Sequence, residues 1–178
     1  MRANMPPGND KQQQILKKRA LALAVEPKKK AEEEQIEIVE FLLSGERYAI
    51  ESAFISEVYP LKNLTPLPCT PVFVVGVINM RGTILSVIDL RTFFELPNRG
   101  LSDLNKVIVL NDGTMEFGIL ADVIVGVRLI SVNTLLPLLP TLTDIRADYL
   151  KGVSEDRLVV LDGGKILSDQ RMVVHEDV

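Results

Sequence analysis

From residue 48 onward the chain repeats itself at a spacing of 69 residues. Tyr48-Ala49-Ile50 followed by Ile55-Ser56-Glu57-Val58 is echoed by Phe117-Gly118-Ile119 followed by Ile124-Val125-Gly126-Val127. Each copy leads into a Pro/Leu-rich connection, Leu64 to Pro68 in the first and Leu135 to Pro140 in the second. Each connection reaches an aromatic-x-x-Gly-Val segment, Phe73 to Val77 and Tyr149 to Val153. Three matches in one order imply two small sheets of similar topology packed together.

The runs themselves are β in character. From Ile36 they are short, rich in Val, Ile and Leu, and bounded by turn residues. Strands are expected near 36–43, 46–51, 54–59, 73–79, 83–88, 106–110, 115–120, 123–130 and 157–161. Breaks fall at Ser44-Gly45-Glu46, at Asn111-Asp112-Gly113-Thr114 and at Asp162-Gly163-Gly164; Asp-Gly between two hydrophobic runs signals a hairpin. A long domain helix is missing. Leu90 to Leu96 has the pattern of one or two helical turns, with Asp89 placed to cap them. With no Trp and only 5% aromatics, a core must come from the β-branched and Leu side chains that suit a pleated surface.

Charge divides the chain. Residues 1–35 carry eight Lys/Arg and five Asp/Glu, net +3, and residues 36–178 carry twelve and nineteen, net −7. An acidic domain lacks the basic face on which nucleic-acid binding depends. Residues 1–35 read as a flexible or partly helical extension: Ile15, Leu16, Ala20 and Leu23 line one side of a helix-forming stretch that ends at Pro27. A domain over 36–170 and a short tail over 171–178 complete the organisation. The chain start has neither the basic nor the apolar region of a secretory signal, and no apolar run reaches the length of a membrane span, so a cytoplasmic protein is expected, without membrane insertion.

The one histidine, His175, stands three residues from the carboxyl end, and the one cysteine, Cys69, lies in a Pro-rich stretch with no histidine near it. A single Cys excludes an internal disulfide and a Cys-rich metal site. Neither a GxGxxG nor a P-loop pattern occurs, and Gly113 and Gly163-Gly164 fall where hairpin turns are expected. No catalytic residue, metal or cofactor is expected.

Phe73 to Leu90 is the most informative segment. Val74 to Ile78 is apolar at consecutive positions apart from Gly76, as in a strand buried on both faces, and Gly76 implies a bulge or close backbone approach. Asn79-Met80-Arg81-Gly82 reads as a tight turn with Arg81 at its tip, either a solvated turn charge or an interface anchor. Asp89 and Arg91 read as a local pair or helix cap, and Leu85 and Val87 as core.

The run Gly76-Val77-Ile78-Asn79-Met80-Arg81-Gly82 followed by Ile88-Asp89-Leu90-Arg91 resembles the signature of CheW-like domains. The resemblance continues through Gly45 to Ile50, Thr65 to Pro68, Gly118 to Val123, Gly126-Val127, Tyr149 to Val153 and Leu158-Val159, covering about residues 36–168. It implies an all-β fold of two small five-stranded SH3-like β-barrels over a shared hydrophobic core, with short helical segments. It further implies a free adaptor joining the cytoplasmic tip of chemoreceptors to the regulatory domain of a CheA-type histidine kinase. Glu57, Asn79, Arg81 and Gly82 are then the receptor-binding residues, with Glu57 pairing with Arg81. Ile55, Val75 and Gly76 fall on the kinase-binding side. A related adaptor of a non-taxis pathway controlling pili, gliding or gene expression is the first alternative. A small β-barrel enzyme or ligand-binding domain is the second.

Overall fold

The computed structural model describes residues 34–97, 100–101, 105–137 and 145–172. Met1–Glu33, which make up nearly all of the expected extension, lie outside the described residues, as do His175 and the end of the Leu135–Pro140 block. Ten strands and two short helices follow in order: β1 (Gln35–Leu43), β2 (Glu46–Glu51), β3 (Ile55–Pro60), β4 (Val74–Met80), β5 (Thr83–Ile88), α1 (Leu90–Phe93), β6 (Lys106–Asn111), β7 (Glu116–Ala121), β8 (Val123–Ser131), β9 (Leu150–Val153), β10 (Val159–Leu161) and α2 (Gly163–Ser168).

The strands form two five-stranded sheets, sheet A in the order β8-β1-β2-β10-β9 and sheet B in the order β3-β6-β7-β5-β4. Replacing each strand by its equivalent in the other half turns one order into the other. The duplication is therefore real at the level of topology. It is also interleaved: β1 and β2 of the first half join β8, β9 and β10 of the second, and β3, β4 and β5 join β6 and β7. Matching registers support the equivalence. Ala49 lies opposite Val160 in one parallel pair and Gly118 opposite Val87 in the other.

The inner strands β6 and β7 of sheet B and much of β1 and β2 of sheet A are buried at consecutive positions, which is why they read as continuous apolar runs. Val87, Val107, Val109 and Leu120 line a small core within sheet B, and Ile38, Ala49, Leu158 and Val160 line another within sheet A. Their odd-even neighbours turn the opposite way. Tyr48, Ile50, Ile88, Ile108, Ile119 and Leu161 meet in the larger core shared by both sheets, where α1 and α2 contribute Leu90, Phe93, Ile166 and Leu167. Leu85 and Val87 are core residues at 2% and 0% exposure.

Three sequence expectations are corrected here. Gly163-Gly164 do not form a hairpin turn but open α2, whose N-terminus is capped by Asp162 accepting from the Lys165 backbone N–H at 3.0 Å. Gly163 is required by packing, since a Cβ there would stand 2.7 Å from the Phe54 ring. β9, unmarked in the sequence, is four residues long and starts beside Tyr149. Finally, β4 is the outermost strand of sheet B, so Val75 and Val77 are only half-buried. A bridge from Thr65 to Val77 covers part of that edge.

Candidate functional site

The β4–β5 hairpin turns at Arg81 and Gly82, with φ of 53° and 91°. Two successive left-handed residues match the twist of the flanking strands. The Asn79 Oδ1 accepts from the Gly82 N–H at 2.9 Å, which holds the turn. From this tip the Arg81 guanidinium reaches Glu57 Oε2 at 3.0 Å. Glu57 lies on β3 and Arg81 follows β4, the two opposite edges of sheet B. The ion pair thus ties the first and last strands of the sheet together. All four residues expected at the receptor-facing site, Glu57, Asn79, Arg81 and Gly82, are gathered at one end of sheet B. The Arg81 side chain is 76% exposed and that of Glu57 27%.

Beside them stands a residue the sequence reading passed over. Ile84 pairs with Asn79 across the hairpin and is 63% exposed. Period-two alternation is the signal for it: with Leu85 and Val87 inside, Ile84 must face outward.

Sheet A has a counterpart of this seal. Arg128 on β8 donates to Asp156, in the β9–β10 turn, at 3.1 Å. β8 and β9 are the edges of sheet A, as β3 and β4 are of sheet B. Here the pair belongs to a ring. Glu40, whose side chain is 5% exposed, holds Arg47 at 2.6 Å and Arg128 at 3.1 Å, and Arg47 reaches Asp156 at 3.2 Å. The Ser154 hydroxyl, and then the Arg128 and Arg47 guanidinium groups, hold the Asp156 carboxyl below its usual range.

The residues expected on the kinase side are spread over sheet B. Ile55, half-buried at the start of β3, packs on the shared core, and Val75 on β4 packs on the sheet's own core. Gly76 is buried with φ of 142°, at the β4 bulge between Val74 and Gly76, and pairs with Val87. A Cβ on it would stand 2.3 Å from the Thr65 carbonyl oxygen, so bulge and close approach coincide.

Asp89 and Arg91 form more than a local pair. Asp89 caps α1 through the Arg91 backbone N–H and binds the same residue's guanidinium through both oxygens, at 2.9 and 3.0 Å. Arg91 then reaches Asp122 at 2.9 Å, and Asp122 accepts from the Ser44 N–H and the Asn105 amide. The network spans both sheets at 1% exposure for Asp89 and Arg91. Burial works against the Arg91 charge, yet its hydrogen bonds and the two carboxylates raise its pKa above the ordinary value.

Among the described residues no group of three or more His, Cys, Asp or Glu is placed to hold a metal ion. Cys69 is exposed and free, at φ of 60°. No helix among them is long and apolar enough to cross a membrane.

Comparison with known proteins fits this geometry to a family. The model of the CheW-like domain matches residues 37–171. The chain belongs to the CheW-like family. It is 30% identical over 147 residues to the chemotaxis protein CheW of Treponema pallidum, covering 79% of this chain and 86% of that one. It is 32% identical over 136 residues to the protein FrzA of Myxococcus xanthus, covering 74% and 84%. The crystal structure of the scaffolding protein TtCheW from Thermoanaerobacter tengcongensis matches with a TM-score of 0.65 at 29% identity, covering 72% of this chain and 89% of that one. The two five-stranded sheets of this CheW-like chain are accordingly its two SH3-like barrels, packed over the shared core.

Proposed function

We propose that this CheW-like protein is a non-enzymatic adaptor of the cytoplasm that couples chemoreceptors to a CheA-type histidine kinase. The observation that carries the reading is the exposed Glu57–Arg81 pair at the end of sheet B, in a chain whose relatives include chemotaxis proteins and a scaffolding protein. An arginine held by one carboxylate yet 76% exposed is pre-positioned for a partner without being consumed by the fold. In this reading Arg81, Asn79 and Gly82 meet the receptor tip, Glu57 orients Arg81, and Ile84 adds apolar surface beside them. Ile55, Val75 and Gly76 belong to the face that takes the regulatory domain of the kinase. Gly76 shapes that face by fixing the bulge of β4.

A relative named FrzA rather than CheW is consistent with a second reading, the same adaptor in a chemosensory pathway with a different output. Both readings require the kinase contact. Titration of the full chain with the regulatory domain of its CheA-type kinase therefore tests the proposal. A saturable complex is expected. Folded protein that does not associate would overturn both.

A further inference from the structure

A cavity of about 590 Å³ opens on sheet A, whereas Glu57 and Arg81 stand on sheet B. Its apolar lining comes from Tyr48 on β2, Leu150 and Val153 on β9 and Val159 on β10. The size is that of a site for a short peptide segment or a drug-sized molecule. Tyr48 is fully buried, and its hydroxyl donates to Glu46 at 2.8 Å. Burial, opposed by Arg146 and aided by the Glu46 carboxylate, pushes that phenol up to about 12.

The rim is charged in a particular way. Arg47, Arg146 and Arg157 stand against Glu46 and Asp156, a net of +1 (three minus two) on a domain of net −7. Both carboxylates are committed, Asp156 to Arg47 and Arg128 and Glu46 to Tyr48 and Arg146. Arg157 is different. Exposed in the β9–β10 turn at φ of 61°, it makes no side-chain hydrogen bond or ion pair among the described residues. In sheet B the turn arginine finds Glu57 on the neighbouring edge strand; the position equivalent to Glu57 in sheet A is Gly126, which has no carboxylate to offer.

We infer that this cavity is a second docking site, taking an acidic segment of a partner protein that sets an apolar side chain on Leu150, Val153 and Val159 and a carboxylate on Arg157. Sheet A closes through Arg128 and Asp156, which leaves the Arg157 guanidinium without a side-chain partner among the described residues, and the partner segment supplies one. A polyphosphate fits poorly, because one free guanidinium beside two carboxylates does not balance several negative charges. A carboxylate on a peptide matches both Arg157, the one rim cation without a side-chain partner among the described residues, and the apolar floor.

The test is an NMR titration of the ¹⁵N-labelled full chain with a capped peptide of alternating glutamate and leucine or phenylalanine, and with the same peptide carrying lysine for glutamate. The acidic peptide is expected to bind saturably with a Kd of about 1 mM or tighter, shifting amides of residues 45–48 and 150–159. Arg157→Asn, which keeps a residue tolerant of positive φ, weakens binding about tenfold. Lys165→Gln, at an exposed cation outside both sites, leaves it unchanged. The inference is overturned by an absence of saturable shifts, by equal binding of the lysine peptide, or by equal binding to the Arg157→Asn chain. Displacement of the peptide by citrate at equal concentration would also overturn it, by reducing the cavity to a general anion site.

Discussion

In sheet B the edge strand supplies the carboxylate and the hairpin turn the guanidinium, Glu57 to Arg81; in sheet A the strand supplies the guanidinium and the turn the carboxylate, Arg128 to Asp156. The two pairs tie equivalent edges of two equivalent sheets. Their surroundings differ. The sheet A pair is closed into a ring by Glu40 and Arg47, and its strand residue spends both of its carboxylate contacts within the fold. The sheet B pair has no second partner among the described residues, and its arginine extends into solvent. The same structural task is thus done once with a self-satisfied network and once with a pair that leaves a cation available. What separates the two pairs is burial and the number of partners, not residue type.

The largest effect should come from the residue furthest to the architectural side. Arg91→Ala leaves Asp89 buried and strips Asp122 of its ion pair, and should cost about 3–5 kcal/mol. Chemical denaturation with an unchanged slope would measure it. A loss near zero would mean the buried network is not what joins the sheets. Within the comparison itself, Glu40→Gln should cost about 2 kcal/mol: Glu40 is buried, while Arg47 and Arg128 are about 40% exposed and recover hydration. At the small end, a double-mutant cycle on Glu57 and Arg81 should give about 1 kcal/mol or less, because the arginine is mostly solvated. A coupling above that of the sheet A ring would reverse the distinction between the two seals.

Acid sharpens the same contrast. The Asp156 carboxyl is held below its usual range in the folded state, so its contribution is complete above the unfolded carboxylate pKa of about 4 and is lost as pH falls through the lower folded value. Loss of that contribution should appear as a drop in thermal stability below about pH 4 that is smaller in an Asp156→Asn chain. Equal acid sensitivity in the two chains would place the titration elsewhere.

Much of this was legible in the residues, but unevenly. The repeat at 69 residues announced two similar sheets, and period-two apolarity placed nearly every strand. The interleaving was not announced, because β1 pairs with β8 through the same alternation that would satisfy any other partner strand. β9 escaped notice because four residues broken by Gly152 carry little periodicity. Gly163-Gly164 read as a turn because their need for space beside Phe54 is a tertiary fact. At the site, turn chemistry placed Arg81 at a hairpin tip, but Glu57 entered only through the family resemblance. Their contact depends on how far sheet B curls, and no spacing along the chain encodes that. The reach of Arg91 to Asp122 was hidden for the same reason.

In the proposed role Arg81 is held out for a partner while the fold stands without it. Receptor-dependent control of kinase activity, reconstituted with the Arg81→Glu chain and read alongside its thermal unfolding, tests this most directly. The account predicts loss of coupling with a melting temperature within a few degrees of the parent, about what 1 kcal/mol produces. Full coupling in a folded Arg81→Glu chain would contradict it.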